Sequence, residues 1–215
     1  MCFGPSLVSI LPELPLGDWN YGLVALNTDG LPYFASVRRT QFPGVRDTWH
    51  AMYVDYLELS IGRKLRTGIY EVKCSLSDDP VVAKFARFSW EIQYMENETR
   101  AYRWISGHGI GPRFLGHLTE DNRVIGFLME YVSDARHAGV QDVTACGEVL
   151  SRLHGLGIRH GDINRFNFLI RGSNATLIDF DTARKCDDPN VLQQEIQNLT
   201  ACLEDPSTRG GGGLL

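Results

Sequence analysis

Asp162 and Asn167 stand five positions apart in the segment His160-Gly-Asp-Ile-Asn-Arg-Phe-Asn-Phe-Leu-Ile170. After a turn at Arg171-Gly-Ser-Asn174, the segment Leu177-Ile-Asp-Phe-Asp-Thr-Ala183 supplies Asp179, twelve residues past Asn167, and then Asp181. Oxygen ligands for Mg²⁺ and a carboxylate that orients an attacking hydroxyl are what phosphoryl transfer from a nucleotide needs. Taken singly, Asp162 and Asn167 are ordinary turn formers. Their order, H-G-D-x-x-x-x-N, then a hydrophobic strand, then I-D-F-D, is what points to chemistry.

Such residues need elements to hold them. The hydrophobic pattern predicts a hairpin at Trp19–Leu26 and Pro32–Arg39 around Asn27-Thr28-Asp29-Gly30. Strands are predicted at Tyr56–Ile61, Gly68–Ser75 and Pro80–Phe88, with Lys84 near the centre of the third. A helix follows over Trp90–Ile105, then strands at Phe114–Leu118 and Val124–Val132. Val143–Gly157 reads as an amphipathic helix, Phe168–Arg171 and Ala175–Ile178 as short strands, and Val191–Leu203 as a last helix. Strands fill the first half and helices the second, which gives an α+β chain of two lobes.

Composition narrows the classes. The 215 residues are 43% hydrophobic, enough to build a core. Twenty-six acidic against 21 basic residues leave a charge of −5 and no electrostatic footprint for nucleic acid. Five scattered cysteines (Cys2, Cys74, Cys146, Cys186, Cys202) form neither a zinc motif nor a disulfide framework, as in a reduced interior. Met1–Leu16 is broken by three prolines and lacks a basic start, so it is a poor signal peptide, and no run suits a membrane span. The expectation is a soluble, cytoplasmic protein.

The catalytic-loop and metal-loop motifs resemble those of the protein-kinase-like superfamily. His-Gly-Asp and Asp-Phe-Asp resemble atypical members more than ordinary protein kinases, among them choline and aminoglycoside kinases and the small kinase of the tRNA threonylcarbamoylation complex. With GDWNYG, FPGVRDTWH, KFARFSWEI, GPRFLGHL and HGDINRFNFLI, the whole chain resembles small kinase-like proteins of filamentous fungi. Some of those carry an α-galactosidase A label, which the length opposes, because a barrel takes about 250 residues.

The resemblance implies a bilobal kinase-like fold with a truncated C-lobe and an extra N-terminal β-hairpin segment. It divides the chain into an extension packed on the N-lobe (1–55), an N-lobe (56–132), a short C-lobe (133–208) and a flexible tail (209–215). It implies ATP and Mg²⁺ as cofactors, Asp162 as the residue that orients the acceptor hydroxyl, and Asn167, Asp179 and Asp181 as metal-binding. Lys84 would grip phosphate and need a helix Glu as partner. Glu91, Glu96 and Glu98 compete, and Glu98 shares a stripe with Met95, Tyr102 and Ile105 while Glu96 points away. Met129 would stand at the back of the pocket, with main-chain groups of Glu130 and Val132 holding adenine. The phosphate-covering loop departs from its pattern, with only Gly62 and Gly68 and three cations, Arg63, Lys64 and Arg66, between them. Asn164 stands where Ser/Thr protein kinases carry a lysine. His160 would brace the catalytic loop.

The function expected is ATP- and Mg²⁺-dependent transfer of the γ-phosphate to a hydroxyl of a small-molecule or protein acceptor. A nucleotide-binding pseudokinase that serves as scaffold or regulatory module is the alternative, with a protein partner in that case. A glycosidase using Asp162 and Asp179 is the third reading.

Overall fold

The computed structural model describes residues 10–207 and Gly210. Cys2 and the tail residues 209 and 211–215 lie outside the described residues. The chain divides between Phe42 and Pro43 into two units.

The first unit holds a hairpin, β1 (Tyr21–Leu26) and β2 (Pro32–Arg38). The strands pair antiparallel from Tyr21 opposite Arg38 to Leu26 opposite Pro32. Asn27 closes the turn, its side-chain oxygen accepting from the N–H groups of Asp29 and Leu31, and Gly30 supplies φ +76°. Trp19 packs against Phe34, ring centres 5.4 Å apart.

In the second unit a six-stranded sheet runs β3-β7-β8-β6-β5-β4. Its strands are β3 (Tyr53–Asp55), β4 (Ser60–Arg66), β5 (Ile69–Cys74), β6 (Ser77–Phe85), β7 (Phe114–Glu120) and β8 (Arg123–Glu130). β3 joins β7 in parallel, and every other pair is antiparallel. A strand expected at Tyr56–Ile61 is instead a 3₁₀ turn, Tyr56–Glu58, ahead of β4. The Asp55 carboxylate takes the Leu57 N–H at 2.8 Å, a local bond that ends the extended run.

Side chains on β6 and β8 divide between two apolar clusters. Val82, Phe127 and Met129 enter the one that α1 (Ile92–Ile105) covers, while Val81, Ala83, Ile125 and Leu128 enter the other. Both faces are covered, which is why VIGFLM reads as a continuous apolar run. Lys84 lies two residues beyond Val82 and so emerges on the α1 side. Gly126 sits opposite Phe85 in the ladder, and a Cβ there would lie 2.1 Å from the Lys84 carbonyl oxygen. Only glycine lets β8 come this close to β6.

α1 buries Met95, Glu98, Tyr102 and Ile105 on one stripe. Its entry is fixed by Glu91, whose carboxylate accepts the Arg87 and Phe88 N–H groups. Burial of each apolar member contributes about 1.5–3 kcal/mol. Further along lie β9 (Arg136–His137), α2 (Val143–Gly155), β10 (Ile158–Arg159), β11 (Phe168–Arg171), β12 (Asn174–Leu177), β13 (Arg184–Lys185) and α3 (Pro189–Glu204). α2 buries Cys146, Val149, Leu150 and Leu153. The chain leaves it through Gly157 at φ +65°. α3 starts at an Asp188 cap with Pro189 in its first turn and buries Glu195, Leu199 and Leu203. β11 and β12 form a hairpin with β9 at its side, and β10 pairs with β13.

Candidate functional site

Lys84 and Glu98 meet where β6 faces α1. The ammonium lies 2.6 Å from Glu98 Oε2 and 2.5 Å from Asp179 Oδ1. Burial alone would lower the lysine, but Glu98 and Asp179 outweigh it and hold the ammonium above its usual value. Burial pushes Glu98 up to about 7 against the pull of Lys84. Lys84's charge holds the Asp179 carboxyl below its ordinary range despite burial. Glu98 also accepts the Phe180 N–H at 3.3 Å, so one carboxylate ties α1 to both the lysine and the Asp-Phe-Asp segment. The competitors are engaged elsewhere. Glu96 accepts the Arg46 N–H and pairs with Arg100, and Glu91 pairs with Arg87.

Asp179 sits at φ +66°, a left-handed conformation that is costly for a residue with a side chain. Phe180 is fully buried against Tyr102 and His160 and anchors the turn. Asp181 lies beyond it, its carboxyl raised by burial and by the charge of Asp179.

The loop between β10 and β11 carries Asp162. Its carboxylate Oδ2 lies 3.2 Å from Asn164 Nδ2 and 3.3 Å from Asn167 Nδ2, and both amides also donate to the Asp162 carbonyl. Asn164 Oδ1 in turn accepts the Phe166 N–H at 2.9 Å. The residue that departs from the protein-kinase pattern therefore helps to fix Asp162. His160 accepts the Asp162 N–H at Nδ1, and its Nε2 lies 3.1 Å from the Ile178 carbonyl. That pair of bonds selects the neutral Nε2–H tautomer, consistent with burial lowering the imidazole.

Sequence reasoning missed Glu195. This buried carboxylate of α3 accepts the Gly161 N–H at 2.7 Å and the His160 N–H at 3.0 Å, with His154 Nε2 at 2.8 Å. Burial pushes it up, but these partners outweigh burial and hold it below the usual range. It thus grips the two residues before Asp162. A glutamate in an amphipathic helix reads as solvated, and its partners lie 34 to 41 residues away in sequence.

Asn167 Oδ1 is buried without a hydrogen-bond partner among the described residues. Beside an ionised Asp179 it is a suitable neutral oxygen for Mg²⁺, which usually takes one or two carboxylates and completes its shell with phosphate and water. Among the described residues no group of three or more His, Cys, Asp or Glu side chains could hold a metal. The donor set therefore fits an ion shared with nucleotide phosphates rather than a closed protein cage.

A cavity of about 320 Å³ opens over this cluster. Val82, Met129, Leu169 and Ile178 give it apolar walls, Glu130 to Val132 edge it, and Lys84 and Asp179 stand at its polar end. Tyr102 donates to Met129 Sδ at 3.1 Å and fixes that wall. Gly62 lies within β4 against the Glu71 carbonyl. Gly68, at φ +74°, makes the β4–β5 turn and borders a second cavity with Asp179 and Asp181. Arg66 precedes that turn and borders both cavities. Its Nη2 is buried without a hydrogen-bond partner among the described residues. Arg63 is turned to Glu71 and the Tyr131 hydroxyl.

A family model described as the lipopolysaccharide kinase (Kdo/WaaP) family matches residues 127–206, from within β8 to just past α3. The chain resembles a kinase. That match contains Asp162, Asn167 and Asp179. A probable bifunctional tRNA threonylcarbamoyladenosine biosynthesis protein of Methanothermobacter thermautotrophicus is 32% identical over 111 residues. The aligned stretch covers 50% of this chain and 20% of that protein. A protein of the same description from Methanoculleus marisnigri is 36% identical over 61 residues, 28% of this chain and 11% of its own length. The chain thus spans a fifth or less of the curated relatives it matches. No helix among the described residues is long and apolar enough to cross a membrane.

Proposed function

We propose that the chain is an ATP- and Mg²⁺-dependent phosphotransferase that moves the γ-phosphate to an acceptor hydroxyl. The observation that carries this reading is the Lys84–Glu98–Asp179 cluster at the polar end of an apolar cavity, with Asp162 held in the adjoining loop. The kinase-family match over the same loops supports it.

In this reading the adenine lies between Val82 and Leu169 along Glu130 to Val132, with Met129 behind it. Lys84 and Arg66 bind phosphate oxygens, and Arg66 provides charge where a glycine-rich loop would provide backbone N–H groups. Asn167 and Asp179 hold the metal, with Asp181 at its margin, and Mg²⁺ neutralises phosphate charge when bound. Asp162 orients the acceptor hydroxyl and takes its proton. Strands β4 to β8 with α1 serve as the nucleotide lobe (56–132), residues 133–208 as a short second lobe, and 1–55, which lends β3 to the sheet, as an extension. The likeness to fungal kinase-like proteins and a cytoplasmic setting, where ATP is abundant, belong to this reading.

The test is Mg-ATP turnover by the purified protein and by Asp162→Asn. The variant should bind Mg-ATP as tightly as wild type and turn it over about 10²–10⁴-fold more slowly. Equal rates would remove Asp162 from the chemistry. The glycine-poor turn at Arg66-Thr67-Gly68 favours a second reading, a nucleotide-binding pseudokinase. Tight Mg-ATP binding with no turnover by wild type would select it.

A further inference from the structure

A third cavity, about 330 Å³, lies between the Asp162 loop and α3. Asp162, Arg159 and Arg165 line it from the loop side, and Ser207 lines it from the segment that follows α3. Ser207 is placed there by a tight turn. α3 ends at Glu204, the Asp205 N–H donates to the Ala201 carbonyl, and the Ser207 N–H donates to Asp205 Oδ1 at 2.8 Å.

Gly210 lines the cavity that Lys84, Asp179 and Asp181 also border. Gly210 packs on the Asn164 side chain so closely that a Cβ would fall 2.4 Å from Nδ2. Its carbonyl accepts from Arg66 Nη1 at 3.1 Å. Asn164 and Ser207 line one cavity. The same Asn164 amide lies 3.2 Å from the Asp162 carboxylate.

We propose that Ser207 is an intramolecular acceptor, phosphorylated in cis by the chain's own site. This inference rests on the phosphotransferase reading. The Ser207 hydroxyl oxygen attacks the γ-phosphorus of ATP in line. The Oγ–P bond forms as the bond from phosphorus to the β–γ bridging oxygen breaks, ADP leaves with that electron pair, and the hydroxyl proton passes to the Asp162 carboxylate. Arg159 and Arg165, lining the same cavity, are suited to the phosphate that Ser207 then carries.

The experiment incubates the full chain with Mg-ATP, follows ADP release, and maps phosphate by tandem mass spectrometry at protein concentrations a decade apart. The expected result is phosphate on Ser207, formed with a first-order rate constant that does not change with concentration and absent in Asp162→Ala. Ser207→Ala should lose at least about 90% of the incorporated phosphate, as removal of the main acceptor requires. Phosphate only on other hydroxyls, or a rate constant rising with concentration, overturns the proposal. ADP release without phosphate on Ser207 overturns it while leaving the phosphotransferase reading intact. Absence of ADP release overturns both.

Discussion

Replacing Lys84 with methionine would remove the one ammonium that separates Glu98 from Asp179, leaving two carboxylates facing each other in a buried site. Lys84→Met should lower stability by about 3–5 kcal/mol, as breaking a buried pair does, read as a shift in the urea midpoint. It should also reduce Mg-ATP turnover by several orders of magnitude. Glu98→Gln keeps the shape and removes the charge, so turnover should fall less, by about tenfold to a hundredfold, matching the 1.5–3 kcal/mol of a charged hydrogen bond. If Glu98→Gln were as damaging as Lys84→Met, the lysine's contact with Asp179 would not be the one that matters. The Lys84–Glu98 contact was legible in the sequence, because the kinase resemblance asks a strand lysine for a helix glutamate and a carboxylate on an apolar helix stripe is costly unless paired. The contact between Lys84 and Asp179 was not, since nothing in a linear pattern announces a φ of +66° at Asp179.

At the scale of elements, α3 holds the Asp162 loop through the Glu195 side chain. Glu195→Gln should lower kcat by about tenfold to a hundredfold with the KM for ATP unchanged, because it loosens His160 and Gly161 but touches no nucleotide. A matching rise in KM would place the effect in the nucleotide cleft instead. β7 offers a pH test. Burial, helped by His50, lowers His117 from its ordinary value to about 4, and its Nε2 accepts the His50 N–H at 3.2 Å. Between pH 6.5 and 4 the unfolded chain takes up a proton that the folded chain refuses, so this stabilisation is present above 6.5 and lost on acidification. The loss is about 2 kcal/mol at pH 5. His117→Gln should flatten the dependence of the urea midpoint on pH between 7 and 5, and an unchanged slope would assign acid sensitivity to other groups. Long periodic elements such as α1 and the buried pair β6 and β8 were readable from their apolar spacing. The two-residue strands β9, β10 and β13 were not, because each pairing is set by partners distant in sequence rather than by its own composition.

At the scale of the whole molecule, every residue of the proposed nucleotide site belongs to the unit that begins at Pro43. A fragment starting there should unfold cooperatively and bind Mg-ATP within about threefold of the full chain, as an independently cored unit would. Loss of binding would make the hairpin unit part of the site. Gly126 carries a different lesson about the same unit. It has no side chain to do chemistry, yet any larger residue would drive Phe85 and the Lys84 carbonyl out of line. A library carrying every substitution, sorted by survival, would show position 126 to be as intolerant as position 84. Intolerance alone would then mistake a spacer for a reagent, and only a binding measurement set beside a turnover measurement would tell the two apart.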